Sequence, residues 1–406
     1  MRQPLAVAKL PLPGGERAGV RGLGTRKYPQ APNTPTHPPL KGEGLKMKAA
    51  ILHTPGTPLA LDEVQISLPG PREVLVRTRA CGACHSDLHF IDGAYPTPLP
   101  ALPGHEAAGV VEAVGADVTA VKPGDHVVTC FSNFCGRCEY CLTGRLSLCV
   151  DASTRRKKGD APRLSLNGAP IHQLLNVGGY AEMLLVHENG AVAIDRDMPF
   201  DRAALLGCAV VTGAGAVFNT AGVRPGEDVA VIGCGGIGLA AINAARIAGA
   251  ARIIAIDPVP SKRALAEQVG ATHSFAPDED RLKEQVAELT RGGVHHAIEA
   301  VGRISAGELA LSLLRRGGTA TIVGMIPLGE KIGMGAMDLL SEKKLQGSLM
   351  GSNRFPIDIP RLAGFYLAGR LDLDSLVAER IPLSGINAAL DTLRGGEAAR
   401  SVIVFD

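Results

Sequence analysis

The chain has 406 residues, enough for one large or two ordinary domains, and 46% of them are hydrophobic, which allows a substantial core. Its net charge is +2, but residues 1–46 carry eight Lys/Arg and two Asp/Glu, so the remaining residues carry 34 basic and 38 acidic groups. That balance argues against a nucleic-acid partner. We also see no apolar run of the roughly 18 residues that a membrane span needs, so no membrane partner is expected.

The first 46 residues differ in composition from the rest. They contain eight Pro and seven Gly without apolar periodicity. Such a segment cannot bury enough apolar surface to offset its ordering entropy. It also lacks the apolar core of a signal peptide. We predict that residues 1–46 are a disordered extension and that the folded part begins at Met47.

Cysteine usage indicates the compartment. The nine cysteines are an odd number, and several are separated by two residues. In a chain without an export signal, this pattern favours metal and thiol chemistry in a reducing compartment over disulfides. We therefore predict a cytoplasmic protein.

Short strands separated by turns are predicted from Met47 to about residue 150. The strand-like runs are residues 74–78, 109–115 and 127–129. Closely spaced strands of this kind favour a compact, mainly β unit. Residues 151–178 are polar and predicted as a loop, and we assign no binding role to the basic run at 155–158.

Strands alternate with helices from about residue 210. Predicted strands are followed by helical segments at regular intervals; they are residues 228–232, 252–256, 297–301 and 319–323. Residues 239–248 are Ala-rich and predicted as a helix, and residues 402–405 as a last strand. The alternation predicts a doubly wound parallel sheet, so the fold class is α/β.

Three dispersed residues could form a catalytic metal site. Such a zinc site takes three Cys, His or carboxylate ligands and keeps one position open. Cys84, His105 and Cys208 would supply that set. The alternative is that these residues merely pack, as a buried Cys or a single His commonly does.

Four further cysteines lie close together in the sequence. Cys135, Cys138, Cys141 and Cys149 have the spacing of a closed tetrahedral zinc site, which has no open position and is structural. The competing interpretations are an iron–sulfur cluster and four unrelated thiols. With the catalytic site, this predicts two zinc ions per chain.

A glycine-rich turn lies between a predicted strand and a predicted helix. Its G-x-G-x-x-G pattern is formed by Gly233, Gly235, Gly236, Ile237 and Gly238, with Cys234 as the second residue. Asp257 ends the next strand, which completes a dinucleotide-binding fingerprint. The glycines allow the backbone to approach a pyrophosphate, and a carboxylate at Asp257 would bind the ribose and repel a 2′-phosphate. NAD is therefore predicted over NADP.

With these motifs in place, the chain resembles the zinc-dependent medium-chain alcohol dehydrogenases from Met47 to Asp406. The spacing of His105 and Glu106 from Gly109 and Gly115 is similar to that family's zinc signature. The four-cysteine segment and Cys208 resemble its other metal segments. The resemblance implies a GroES-like catalytic domain from residues 47–209 and 351–406, a Rossmann domain from 210–350, and an active site between them.

The resemblance also implies roles for residues near the catalytic zinc. Glu106 looks like the carboxylate that assists ligand exchange, and Asp87 like a partner that orients a ligand histidine. Ser86 and His89 resemble the proton relay from the substrate hydroxyl to solvent. The implied reaction is alcohol oxidation, with zinc as a Lewis acid and hydride transfer to NAD.

The implied cofactor contacts come from four residues. Thr212 looks like a nicotinamide neighbour, Lys262 like a ribose contact and Arg400 like a pyrophosphate contact. His85 stands where many animal relatives have Arg, so this pyrophosphate contact would be weaker or pH-dependent.

The substrate is expected to be a small primary or aryl alcohol. Tyr95 and Phe131 would line an apolar pocket, and we identify no cationic anchor in it. Tyr95 stands where the glutathione-adduct branch of the family has an acidic residue, and Cys208 where the polyol branch generally has Glu. A homodimer or homotetramer is implied. The alternatives are a physiological aldehyde reductase, a glutathione-adduct (formaldehyde) dehydrogenase, and a zinc- and NAD-binding protein without turnover.

Overall fold

The structure is a computed structural model that describes residues 44–157, 159–396 and 400–406. Most of the predicted disordered extension lies outside the described residues. The first strand, Leu45–Ile51, begins two residues before the predicted start at Met47. Lys46 is paired with Glu63 of the neighbouring strand at 2.6 Å, so the assignment of residues 45 and 46 to the extension was wrong.

Antiparallel strands form most of the first part of the fold. One four-stranded sheet has, in spatial order, Leu45–Ile51, Ala60–Ile66, Leu164–Leu166 and Ala169–Pro170. A seven-stranded sheet has the order Ala191–Ala193, His126–Thr129, Glu106–Val114, Glu73–Gly82, Ser401–Val404 and Glu379–Ile381, with Met183–His187 also paired to Glu73–Gly82. Ala101–Leu102 and His172–Gln173 form a short parallel pair. Long runs of buried residues in the central strands place the core between these sheets.

A six-stranded parallel sheet forms the second part of the fold. Its spatial order is His273–Phe275, Arg252–Ile256, Asp228–Ile232, Val294–Glu299, Leu314–Ile322 and Lys344–Gly347. Counted along the chain this is the order 3-2-1-4-5-6, which is that of a dinucleotide-binding sheet. The central strand Asp228–Ile232 is buried along its whole length, as expected for a sheet covered on both faces.

Further helices in the described ranges pack on the parallel sheet or on the antiparallel strands. Those outside the long central helix are His85–Ile91, Glu139–Leu142, Gly236–Ala248, Pro260–Val269, Leu282–Thr290, Ile304–Ser312, Ala336–Leu340, Phe355–Leu367 and Ile386–Gly395. Single 3-10 turns occur at Leu146–Leu148, Ala152–Thr154, Leu174–Asn176, Glu188–Gly190, Leu349–Ser352, Asp374–Leu376 and Leu383–Gly385.

One long helix, Phe200–Ala221, lies between the antiparallel strands and the parallel sheet. It is 22 residues long with a mean hydropathy of 1.6, so the expectation that no run could span a membrane was wrong on length and composition. Within its most apolar window 83% of the residues are buried, which is typical of a core helix. Leu205 of this helix shares one apolar cluster with Val128 of the β sheet and Val231 of the parallel sheet.

The segment predicted as a loop, residues 151–178, contains more order than its polarity suggested. Two of its short strands extend the four-stranded sheet. Arg156, in the basic run, forms an ion pair with the buried carboxylate of Glu73 at 2.5 Å. Sequence patterns did not reveal this pair because the partners are far apart in the chain.

Candidate active site and metal centres

The turn after the strand Glu73–Gly82 places the first thiol of the site. Cys84 immediately precedes the helix His85–Ile91 and has extended backbone angles. The neighbouring antiparallel strand pairs Glu106 with Gly82. Because of that register, His105, which directly precedes the strand Glu106–Val114, lies close to Cys84, which follows the strand Glu73–Gly82 by two residues.

The long central helix supplies the second thiol. Its turns at Leu206–Val210 are π-helical, a widening that is frequent at functional sites. The donor atoms of Cys84, His105, Glu106 and Cys208 all lie within 4.8 Å of one another, and all four residues are buried. The structure thus brings together the three predicted ligands and the predicted carboxylate.

A buried hydrogen-bond chain orients His105. Its Nδ1 lies 3.0 Å from Oδ1 of Asp87, and the phenol of Tyr180 donates to Oδ2 of the same carboxylate at 2.9 Å. Burial opposes protonation of His105, but the charges of Asp87 and Cys84 raise its pKa well above the usual value. Asp87 therefore holds the ring with Nε2 directed away from the carboxylate.

Glu106 and Arg400 form an ion pair beside these donors. Arg400 Nη2 lies 3.3 Å from Glu106 Oε1 and 3.5 Å from Cys84 Sγ. Burial raises the pKa of Glu106 to about 8, although Arg400 opposes the shift. The backbone N–H of Ala209 also donates to Glu106 at 3.3 Å.

The donor set fits zinc. Across the described ranges, neither His105 Nε2 nor Glu106 Oε2 has a hydrogen-bond partner, although both atoms are buried. A buried polar atom without a partner is costly. Two thiols and an imidazole nitrogen form a set of three protein ligands that a catalytic zinc site uses, with its fourth position left open.

The four remaining clustered cysteines lie in one lobe around the helix Glu139–Leu142. The Sγ atom of Cys138 lies 3.5 Å from that of Cys141 and 3.8 Å from that of Cys149, and Cys135 Sγ is 3.9 Å from Cys141 Sγ. All nine cysteines of the chain fall within described residues, and each is free. Four converging thiols fit a closed zinc site.

Backbone amides already point at these sulfurs. The N–H groups of Arg137 and Cys138 donate to Cys135 Sγ at 3.4 and 3.3 Å, and the N–H of Cys135 donates to Cys149 Sγ at 3.3 Å. Such bonds stabilise negative charge on sulfur. The lobe is therefore arranged for thiolates.

The glycine-rich turn joins Asp228–Ile232 to the helix Gly236–Ala248. Gly233 has a φ of +92°, which strongly favours glycine. A side chain at Gly238 would collide with the carbonyl oxygen of Gly233. The first turn of the helix thus comes close to the strand end, and its free N–H groups face a region suited to an anion.

Asp257 lies at the end of the neighbouring strand, 6% exposed. Its carboxylate accepts hydrogen bonds from the N–H of Cys234 at 2.8 Å and of Val259 at 2.9 Å. These bonds fix the carboxylate beside the turn. Each carboxylate oxygen keeps a further lone pair for a ligand hydroxyl.

A crevice of about 460 Å³ opens beside Asp257 at the carboxyl ends of the strands. Ile232, Ile256 and Val301 line its apolar part, and Lys283 and Arg303 its edge. This is where an open α/β sheet binds its ligand. The sequence patterns did not single out Lys283 or Arg303.

The other predicted cofactor residues surround the same region. His85 lies at the start of its helix, where the protein atoms around the ring remove part of its hydration and, together with the charge of Arg400, lower its pKa. Lys262 is half-buried in the helix that follows Asp257. Arg400 is buried, and a side chain at Gly236 would come within 2.7 Å of its Nε, so Arg400 contacts both the glycine-rich turn and the metal-ligand cluster.

The predicted proton relay and pocket residues lie on the other side of Cys84. Ser86 Oγ lies 3.7 Å from Met325 Sδ, and the rings of His89 and Tyr95 meet edge to face at 5.6 Å. Phe131 meets the ring of His105 edge to face at 5.5 Å. The ring of Phe131 therefore lies directly against a predicted ligand.

Thr212 is buried on the central helix, one turn beyond Cys208, and its hydroxyl lies 3.4 Å from Met350 Sδ. Met350 has a φ of +51° and is followed by two further residues with positive φ. Neither Met325 nor Met350 was singled out from the sequence, since a methionine has no distinguishing pattern. Tyr180 was also missed, because no sequence pattern marks it as a hydrogen-bond partner of Asp87.

A cavity of about 370 Å³ extends from Phe131 and Met350 towards the four-cysteine lobe. Cys149, Thr154, Arg155 and Asn176 also line it; Phe131 and Met350 face the predicted ligand side. The cavity shares Phe131 with the predicted substrate pocket but is not lined by Tyr95, and it adds a cationic side chain, Arg155, that the sequence patterns did not assign to that pocket. Arg155, which belongs to the basic run, was dismissed because charge runs are usually only solvated.

Two family models match the chain. A model described as zinc-binding dehydrogenase matches residues 236–364, and one described as alcohol dehydrogenase GroES-like domain matches residues 70–196. The two matches fall on the parallel sheet and on the antiparallel strands, and they confirm the predicted α/β fold with a GroES-like unit and a Rossmann-type sheet.

Curated proteins and solved structures resemble the chain over nearly its whole described length. The S-(hydroxymethyl)glutathione dehydrogenase of Photobacterium damsela subsp. piscicida is 38% identical, over 89% of this chain and 100% of that protein. The NDMA-dependent alcohol dehydrogenase of Amycolatopsis methanolica is 40% identical, over 89% and 99%. The crystal structure of benzyl alcohol dehydrogenase from Acinetobacter calcoaceticus has a TM-score of 0.84 and 33% identity, over 89% and 100%.

Proposed function

The chain belongs to the zinc-dependent medium-chain alcohol dehydrogenases, and we propose that within this family it reversibly oxidises small primary and aryl alcohols to aldehydes. It is an oxidoreductase acting on CH–OH donors, and its cofactors are zinc and NAD. The observation that carries the proposed substrate class is the edge of Phe131 against His105, because it puts an aromatic surface beside the metal ligands.

The catalytic zinc would be held by Cys84, His105 and Cys208, and the structural zinc by Cys135, Cys138, Cys141 and Cys149. When bound, the catalytic zinc supplies a Lewis acid and NAD supplies a hydride acceptor. Asp87 accepts the Nδ1 hydrogen of His105, so that Nε2 keeps its lone pair for the metal. Glu106, held by Arg400, provides a carboxylate within reach of the same donors.

The proton of the alcohol is carried away by two side chains of the helix that follows Cys84. Ser86 is in the first turn of that helix and His89 is one turn further, so both face the same side. Ser86 Oγ accepts the proton while its own hydroxyl hydrogen is passed on towards the imidazole of His89, which in turn releases a proton to solvent. Both side chains are half-buried, which gives the relay an exit.

NAD would bind along the carboxyl edge of the parallel sheet. The pyrophosphate would be held by the glycine-rich turn with the help of Arg400 and His85; the turn consists of Gly233, Gly235, Gly236, Ile237 and Gly238. Asp257 and Lys262 would hold the adenosine ribose, and Thr212, one helical turn from Cys208, would contact the nicotinamide.

A second candidate substrate is S-(hydroxymethyl)glutathione. Arg155 on the wall of the cavity could pair with a carboxylate of such a substrate, and one of the similar proteins carries this activity in its name. Tyr95 offers no carboxylate for its amino group. The cavity therefore offers one charged contact to a substrate that carries several charges, so this substrate is the second candidate.

A substrate panel tests the proposal. Purified protein with zinc and NAD is given ethanol, benzyl alcohol and S-(hydroxymethyl)glutathione, and the absorbance of reduced NAD is followed. We expect the highest kcat/KM for benzyl alcohol. A higher value for S-(hydroxymethyl)glutathione that falls on Arg155→Ala would establish the second candidate instead, and no turnover of any alcohol would refute both.

The protein is also proposed to be a homo-oligomer. The strand Lys344–Gly347 is at the edge of the parallel sheet, and Leu339 and Leu340 beside it are 61% and 77% exposed. Exposed apolar groups next to an open strand edge favour association. Sedimentation equilibrium that shows a monomer at micromolar concentration would contradict this.

A further inference from the structure

Glu73 is a buried carboxylate that no step of the proposed reaction uses. It opens the central strand Glu73–Gly82 and is 5% exposed. Arg156 donates to it from Nη2 at 2.5 Å, Arg163 from Nε at 2.7 Å, and the N–H of Gly70 at 2.8 Å. A carboxylate inside the β unit thus binds two arginines from the segment that follows the four-cysteine lobe.

The two arginines also bind the backbone of that segment. Arg156 donates to the carbonyl of Ala161 at 2.8 Å, and Arg163 donates to the carbonyl of Thr154 at 3.2 Å. Arg163 additionally reaches the side chain of Gln173 at 3.4 Å. Glu73 is therefore the common anchor of a chain segment with few regular backbone hydrogen bonds of its own.

This segment forms one wall of the cavity described above. Thr154 and Arg155 line the cavity and directly precede Arg156, and Asn176 lines it shortly after Gln173. Thr154 is buried, whereas Arg155 is exposed. The hydrogen bonds to Thr154 and Gln173 thus connect the anchor to both parts of the wall.

We propose that Glu73 is a positioning residue for substrate selection: through Arg156 and Arg163 it fixes the wall of the pocket that carries Thr154 and Arg155. This inference rests on the proposed function. A substrate that fills the cavity depends on that wall, whereas ethanol is too small to fill about 370 Å³ and depends on it little. The metal ligands are held by other contacts, so the chemical step is preserved without the anchor.

Glu188 provides a matched control. It is 4% exposed, pairs with Arg72 at 2.7 Å and accepts from the N–H of Thr119 at 3.0 Å. It is thus a buried carboxylate of the same unit with comparable partners, but its contacts are with residues that do not line the cavity. Glu188→Gln disturbs stability in a similar way without touching the wall.

The test compares Glu73→Gln, Glu188→Gln and the wild type as zinc-loaded full chains. For Glu73→Gln we expect the KM for benzyl alcohol to rise about tenfold while its kcat and the KM for ethanol stay within about twofold. We also expect faster amide hydrogen exchange at residues 152–156 without substrate. Glu188→Gln should change neither the KM for benzyl alcohol nor exchange at these residues.

Equal KM changes in the two variants, or a folded Glu73→Gln protein with unchanged KM and unchanged exchange, would overturn the proposal. Arg156→Gln serves as a second variant because it leaves Glu73 paired with Arg163, and it should shift KM and exchange in the same direction by a smaller factor. Failure of the proposed function would give a different result, because the wild type itself would not oxidise alcohols. The substrate-selecting role of Glu73 would then be refuted as well.

Discussion

Arg400 and Glu106 form a buried ion pair, with Nη2 and Oε1 separated by 3.3 Å, although one residue precedes the last strand of the chain and the other begins a strand in its first third. The same guanidinium contacts Cys84 and packs against the glycine-rich turn. One side chain therefore links the carboxylate, a metal ligand and the cofactor turn.

Arg400→Ala should impair both stability and cofactor binding. Removing one member of a buried ion pair leaves an uncompensated charge and costs about 3–5 kcal/mol. We expect that loss in the free energy of unfolding and at least a tenfold higher Kd for NAD. Arg394→Ala, which breaks the exposed pair with Asp92, should cost less than about 1 kcal/mol. Denaturant titrations and NAD fluorescence titrations would check both, and an unchanged Kd would remove Arg400 from the cofactor site.

The two metal sites should respond differently to the loss of a ligand. Cys208 lies on a helix that is buried in a large core, so Cys208→Ser should abolish turnover while leaving the melting temperature and NAD binding nearly unchanged. Cys141 belongs to a lobe whose ligands lie close together in sequence, so Cys141→Ser should lower the melting temperature, with activity lost as a consequence. Metal analysis should give two zinc ions per wild-type chain. A Cys208→Ser protein that still turned over would show that the ligand assignment is wrong.

Asp257 should determine the choice between NAD and NADP. Its buried carboxylate is fixed by two backbone N–H groups and would repel a 2′-phosphate. We expect kcat/KM to favour NAD by at least about a hundredfold, which corresponds to 2.7 kcal/mol. Asp257→Ala should reduce that ratio, mainly through a weaker reaction with NAD. Steady-state kinetics with both cofactors would decide, and a wild-type preference for NADP would refute the role.

Glu73 should make a pH-dependent contribution to stability. Although burial opposes its charge, Arg156, Arg163 and the N–H of Gly70 lower its pKa from 4.5 to about 2. The contribution is therefore fully present above pH 4.5 and is lost as the pH falls towards 2; by linkage it is on the order of 3 kcal/mol. The difference in unfolding free energy between the wild type and Glu73→Gln should shrink over that range. A difference that stayed constant from pH 5 to 3 would contradict it.

The parallel sheet was the most predictable part of the fold. The strands predicted at 228–232 and 252–256 have those bounds in the structure, because continuous apolar runs end at glycine-rich or acidic turns. The helix predicted from residue 239 begins at Gly236. Its first residues include glycines, which have low helix propensity, so the sequence pattern does not show where the helix starts. Local pattern thus gave element type and position, with errors at the ends.

The site was less predictable where it depends on contacts across the chain. The clustering of Cys84, His105 and Cys208 agreed with metal-ligand chemistry, which restricts the residue types. Tyr180 and Arg155 were missed because a tyrosine in a loop and an arginine in a basic run resemble many surface residues. Only the fold shows that one donates to Asp87 and the other lines a cavity.

The central helix Phe200–Ala221 carries Cys208 and Thr212 four residues apart, about one turn along its axis. The proposed metal ligand Cys208 and the proposed nicotinamide neighbour Thr212 thus lie on the same rigid helix. The spacing of these two side chains is therefore set within one buried helix, whatever the orientation of the antiparallel strands and the parallel sheet. Inserting or deleting one residue between Cys208 and Thr212 would rotate the two side chains by about 100° relative to each other about the helix axis.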